Sequence, residues 1–241
     1  MRLVMCALAL PVAVALSSIA DAGLSSTSGR AHDVVILRPT RFACYGGQFS
    51  PFTRQRLKLV DRLAGTLSAT AYVPGEVCVP ATSTGSPSSY LTCYRAKVAT
   101  AFSSKSVRAT DAFQRAALLR LSRPSTLCLP SARVDENRSA TPSQALTLLT
   151  CYPVRPRRLV KRDGVKIVDA FDKSADSLSG PYRLCSPAWK SSDTPATGRP
   201  LTCYTVESTT KGTSVVVRNA FGFLKAALGP RAWLCLTATV S

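Results

Sequence analysis

Thiols dominate the chemistry open to this sequence. Nine of its 241 residues are cysteine, against one histidine, His32, and the glutamates Glu76, Glu136 and Glu207. A Ser-His-Asp arrangement would have to use His32, and nothing around that residue suggests one. Zinc would need cysteines spaced as in a knuckle, but no two lie two to four apart. Asp61, Asp111 and Asp169 recur at equivalent places, yet calcium takes several clustered oxygens, which so basic a chain rarely supplies. The sequence therefore predicts no catalytic residue, no cofactor and no metal site, and the protein reads as a non-enzyme.

What remains for the thiols is pairing. Cys6 lies in the apolar run Leu3 to Leu16, which follows Arg2 and precedes the small-x-small motif Ala20-Asp21-Ala22. That is the layout of a signal peptide over residues 1–22, removed before Gly23, and too short to span a bilayer as a helix. No later stretch reaches eighteen apolar residues, so the mature chain should have no transmembrane span and be secreted, extracellular or periplasmic. The eight cysteines left are Cys44, Cys78, Cys93, Cys128, Cys151, Cys185, Cys203 and Cys235. An even number in an exported chain reads as a disulfide framework.

Their flanks expose a fourfold repeat. Cys44, Cys93, Cys151 and Cys203 are each followed by tyrosine, and Cys78, Cys128, Cys185 and Cys235 each follow Val or Leu. From each Cys-Tyr to the next apolar-Cys the separations are 34, 35, 34 and 32 residues, and from there to the following Cys-Tyr 15, 23 and 18. The near-constant stretch is the unit and the variable stretch the connector, because loops absorb insertions that a packed core does not. Pairing within units, Cys44 with Cys78 and so on, leaves no cysteine over and is preferred. Pairing across connectors, Cys78 with Cys93 and so on with Cys44 and Cys235 closing a ring, stays open.

The elements that must position the cysteines are strands. Around Asp61, Asp111, Asp169 and Asn219 the positions two and four earlier are apolar in every copy, the period of a strand with one face inward. The Asx residue should end that strand by bonding its own backbone, with Leu63, Phe113, Phe171 or Phe221 plugging the core. Pro74, Pro124 and Pro181 stand four residues before their cysteines, with Arg231 in that place in the last copy, and a further strand should end or reach an edge there. The expected fold is all-β: four tandem disulfide-stapled three-stranded units, packed in pairs as small sandwiches or barrels, in two lobes meeting near residues 131–145. The boundaries are a lead-in at 23–40 and units at 41–80, 90–130, 148–187 and 200–241.

The alternation of Leu-x-Cys-Tyr with Leu-Cys-x-Pro, including Leu184-Cys-Ser-Pro-Ala-Trp-Lys190, resembles an uncharacterised repeat family of secreted bacterial proteins. The resemblance runs from about Arg41 to Cys235 and implies the repeat architecture and export. It implies no activity and no catalytic residue. The lysine corresponding to Lys190 is missing after Cys78, Cys128 and Cys235.

Charge is the remaining lead. Lys+Arg 31 against Asp+Glu 13 gives +18, and losing Arg2 with Asp21 leaves that unchanged. Such a field raises the encounter rate with polyanions. Lys58, Arg108 and Lys166 occupy the same outward strand position in three units, while Arg155, Arg157, Arg158, Lys161 and Arg162 crowd one loop. The competing explanation is solubility and edge protection. No aromatic-flanked basic motif of a nucleic-acid reader is present, so anionic polysaccharide or lipopolysaccharide is the expected partner. The alternative is an inhibitor or toxin-like protein that presents its connectors, above all Pro130 to Ala145, to a protein partner.

Overall fold

A computed structural model describes residues 41–82, 89–135, 138–210 and 212–241, all within the unit Val34–Ser241. The signal segment, the lead-in, Cys6 and His32 lie outside the described residues. Every regular element among those described is a strand.

The first unit is β1 (Arg41–Phe49), β2 (Gln55–Asp61) and β3 (Gly65–Pro80). The second is β4 (Tyr90–Val98), β5 (Lys105–Thr110), β6 (Ala117–Leu121) and β7 (Thr126–Asp135), with the two-residue β8 (Arg138–Ser139) after it. The third is β9 (Leu148–Pro156), β10 (Val160–Val168) and β11 (Lys173–Lys190). The fourth is β12 (Leu201–Glu207), β13 (Thr213–Asn219) and β14 (Gly222–Thr237), followed by β15 (Thr239–Val240). Three units thus have the expected three strands.

The prolines mark bends more often than ends. β3 and β11 run straight through Pro74 and Pro181, and each changes register there, between Ala71 and Glu76 and between Ser179 and Arg183. Only in the second unit does the strand break, at residues 122–125, giving separate β6 and β7. In β11 the register shift leaves Pro181 out of the ladder with β12, and in β3 irregularities at Tyr72 and Gly75 flank Pro74, so a proline without an N–H sits inside each long strand. Before the bend each long strand forms a hairpin with the middle strand of its unit; after it, the strand joins a central sheet.

That central sheet closes on itself. Eight strands pair antiparallel in the cycle β1, β3, β4, β7, β9, β11, β12, β14 and back to β1. At the closing seam β1 lies so near β14 that a Cβ on Gly47 would stand 2.6 Å from the Ala227 carbonyl oxygen. The two lobes expected near residues 131–145 are replaced by this one ring. Units do pair, but the first with the third and the second with the fourth. β2 pairs the tail of β11, β13 pairs the tail of β7, and β5 pairs β15.

The disulfides lie inside the ring. Cys44–Cys78, Cys93–Cys128, Cys151–Cys185 and Cys203–Cys235 are bonded, each within its own unit. Together with Phe42, Leu91, Leu149 and Leu201, the residues two before each Cys-Tyr cysteine, they form one buried cluster. The period-2 pleat sends these residues to one face and Tyr45, Tyr94, Tyr152 and Tyr204, each directly after its cysteine, to the other. The hairpins cover that outer face, which is why the tyrosines are also buried. The connectivity rejected by the chain is nevertheless close at hand. Sulfurs of neighbouring units touch at 3.7 Å for Cys78 and Cys93, 3.7 Å for Cys128 and Cys151, and 3.9 Å for Cys44 and Cys235.

Candidate polyanion-binding faces

The repeated polar residues serve the ring. Asp61 Oδ1 accepts the backbone N–H of Leu63 at 2.6 Å and Ala64 at 2.9 Å. Asp111, Asp169 and Asn219 make the same turn, with Phe113, Phe171 and Phe221 donating at 2.7, 2.8 and 2.8 Å. Each Asx also meets the tyrosine of the unit two places away. Tyr45 donates to Asp169 at 2.8 Å, Tyr152 to Asp61 at 2.7 Å and Tyr204 to Asp111 at 2.8 Å, while Asn219 donates its amide to Tyr94 at 2.8 Å. In three copies the phenol also packs edge-on against the phenylalanine after that Asx: Tyr45 on Phe171, Tyr94 on Phe221 and Tyr204 on Phe113.

Burial sets the acidity of these groups. It pushes the Tyr94 phenol up to about 12 and Tyr45, Tyr152 and Tyr204 higher still, where the facing carboxylates Asp169, Asp61 and Asp111 add to the effect. Burial also raises the Asp61 carboxyl, opposed by its bonds from Tyr152, Leu63, Ala64 and Thr150.

Arg231, standing where three copies have proline, is buried to 1% exposure. Its guanidinium meets Asp169 at 2.8 Å, Asp172 at 3.3 Å, Asp176, and the Tyr45 hydroxyl at 3.1 Å. A second cross-unit pair is Arg183, bidentate on Glu76 at 2.7 and 3.0 Å and stacked 4.3 Å from the centre of the Trp233 ring. Glu76 also comes near Cys44 and Cys78 in a possible metal-ligand set, but those two sulfurs form one cystine and the carboxylate holds Arg183.

The free cations lie outside. Lys58, Arg108, Lys166, Arg155, Arg157, Arg158, Lys161 and Arg162 are all exposed. Strand pairing brings some of them together. In the small sheet of β5, β6 and β9, Arg108 lies opposite Leu118 and Arg120 opposite Arg155. Past the end of β9, Arg157 donates its backbone N–H to the Leu118 carbonyl at 3.2 Å. Two adjacent rows result, Arg108-Leu118-Arg157 and Ser106-Arg120-Arg155. Four arginines therefore share one exposed face, and none of its outward positions carries a carboxylate. None of the four makes an ion pair among the described residues.

Other predicted residues fall elsewhere. Lys161 and Lys166 lie on the β10–β11 hairpin opposite Ser179 and Ala175, and Arg162 opposite Leu178. Lys58 continues the outward row of β2. Arg120 escapes the sequence reading because it sits in a short, half-apolar strand; its place eight residues before Cys128 is the signal that could have found it.

The connector singled out for display is half built into the sheet. Residues 131–135 extend β7, and Arg138 and Ser139 pair with its end. Thr141, Gln144 and Thr147 line a cleft of about 740 Å3 together with Trp189.

Four disulfides fit an oxidising, extracellular type of environment, and no helix among the described residues is long and apolar enough to cross a membrane. No family model matches the chain, and no curated protein or solved structure does so either.

Proposed function

We propose that this is an exported, non-enzymatic binding protein that holds an anionic surface polysaccharide or lipopolysaccharide on a rigid cystine-stapled ring. The observation that carries the reading is the face of Arg108, Arg120, Arg155 and Arg157 around Leu118, four exposed guanidiniums without an ion pair among the described residues, of which Arg120 donates to the Ser104 hydroxyl at 3.0 Å. Exposed like charges add nothing to folding, and a guanidinium fork suits sulfate, phosphate and carboxylate alike.

Retention on an immobilised anionic polysaccharide in a salt gradient tests it. Replacing Arg108, Arg120, Arg155 and Arg157 by Ser should move elution to much lower salt, because clustered contacts set the salt slope. The control removes four other exposed cations, Lys173, Lys190, Arg199 and Lys225, and so matches the change in net charge. Equal elution of the two variants would reduce the arginine face to general solvation.

A further inference from the structure

The arginine face has a counterpart one seam earlier in the ring. The strands β2, β3 and β4 at the seam of units one and two are arranged as β5, β6 and β9 are at the seam of units two and three. Arg56 lies opposite Thr70, and Thr70 opposite Lys97, so Thr70 takes the place of Arg120 and Lys97 that of Arg155. Lys97 and Arg155 both stand four residues after a Cys-Tyr cysteine. The same position is Glu207 at the next seam and Gln48 at the closing one. A cation at this position is thus confined to two neighbouring seams of four.

At the first of them the surface is concave. A groove of about 860 Å3 is lined by Arg54, Arg56, Lys97, Arg123, Thr70 and Tyr72, among others, and among the described residues no carboxylate lines it. Arg123 comes from the break between β6 and β7, held beside β4 by the bond from Ala96 N to the Ser125 carbonyl at 2.8 Å. It is three residues from Arg120, so the groove and the arginine face are joined by one short stretch of chain.

Tyr72 sets the groove apart. The register of β3 against β4 slips between Ala71 and Val73, leaving Tyr72 unpaired, and a bulge of this kind re-aims a side chain. Tyr72 is 38% exposed and its hydroxyl has no partner among the described residues, whereas the four Cys-Tyr tyrosines are buried and bonded. Its counterparts six residues before the other cysteines are Ser122, Ser179 and Gly229, so the repeat does not require an aromatic there.

We infer that the groove is a sugar subsite: Tyr72 stacks on one pyranose ring of an acidic polysaccharide while Arg54, Arg56, Lys97 and Arg123 hold its carboxylate or sulfate groups. The polymer then continues past Arg120 onto the arginine face. The inference rests on the polyanion reading and adds what that reading lacks, a requirement for a ring as well as for charge. A flexible inorganic polyanion has nothing to lay on Tyr72.

Calorimetric titration with a sulfated or uronate octasaccharide, and in parallel with inorganic polyphosphate of the same number of charges, separates the two. Tyr72→Ala should weaken octasaccharide binding about tenfold, as loss of an aromatic anchor does, and leave polyphosphate binding unchanged. Tyr72→Phe should bind the octasaccharide as wild type does. Wild-type affinity of Tyr72→Ala for the octasaccharide, or an equal loss for both ligands, overturns the sugar subsite. A quadruple Ser variant at Arg54, Arg56, Lys97 and Arg123 that binds the octasaccharide as wild type, while the arginine-face variant does not, overturns the groove and leaves the polyanion reading standing. A wild-type protein that binds neither ligand overturns both.

Discussion

Asp61 and Asn219 show how one position solves the same problem with and without charge. Both end a middle strand, cap the turn after it and meet a buried phenol from the unit two places on. Burial raises the pKa of the carboxylate above its unfolded value. A carboxyl raised on folding contributes stability that is fully present below its unfolded pKa and lost as pH rises through the folded one. Asp61→Asn should therefore be more stable than wild type at pH 7, and the gain should shrink towards pH 4. Melting temperatures at the two pH values check this, and destabilisation at pH 7 would contradict it. The sequence displays the repeated Tyr and Asx plainly and gives the Asx turn correctly. That each Tyr belongs to the Asx two units away is a non-local fact, which no spacing within a unit contains. Arg231 is similar: it stands out as a break in the proline pattern, but its carboxylate partners come from the third unit.

Among the elements, the long strands β3, β11 and β14 decide the architecture, because each serves a hairpin in its first half and the ring in its second. Reading proline as a strand end misses this, since a bulge and an end look alike in sequence and differ only in whether partners exist beyond. The same strands place the two candidate sulfur pairings side by side, so counting free thiols cannot tell them apart: both leave none. Peptide mapping of a non-reduced digest can. It should recover Cys44 linked to Cys78, Cys93 to Cys128, Cys151 to Cys185 and Cys203 to Cys235. Recovery of Cys78 linked to Cys93 would place the bonds across the connectors instead. The basic residues were legible as a charge excess and, in part, as positions. Arg54, Arg56, Lys97, Arg120 and Arg123 acquire meaning only when pairing sets strands from different units side by side.

On the scale of the whole molecule, the all-β class and its four strand-stapling disulfides follow from spacing, whereas closure does not. All four Tyr–Asx bonds join the first half of the chain to the second, as do the strand pairs β1–β14, β7–β9, β2–β11, β13–β7 and β5–β15. A fragment of the first two units, residues 41–140, should therefore show no cooperative unfolding alone. Mixed with residues 141–241 it should regain strand content and a single transition, seen by circular dichroism. A cooperative transition in the first fragment by itself would mean that the halves are independent after all.

The seam between β1 and β14 has a consequence in time. The first described strand of the chain hydrogen-bonds the last long one, and Tyr45 has no acceptor until Asp169 has been made. A ribosome or a translocation pore releases the chain from its N-terminal end, so for most of its emergence the ring exists only as an open, sticky arc. Folds built on such distant contacts form slowly and are exposed to wrong partners meanwhile. The within-unit cystines answer this: each can form as soon as its own unit has emerged, fixing the arc piece by piece before the final strand arrives to close it.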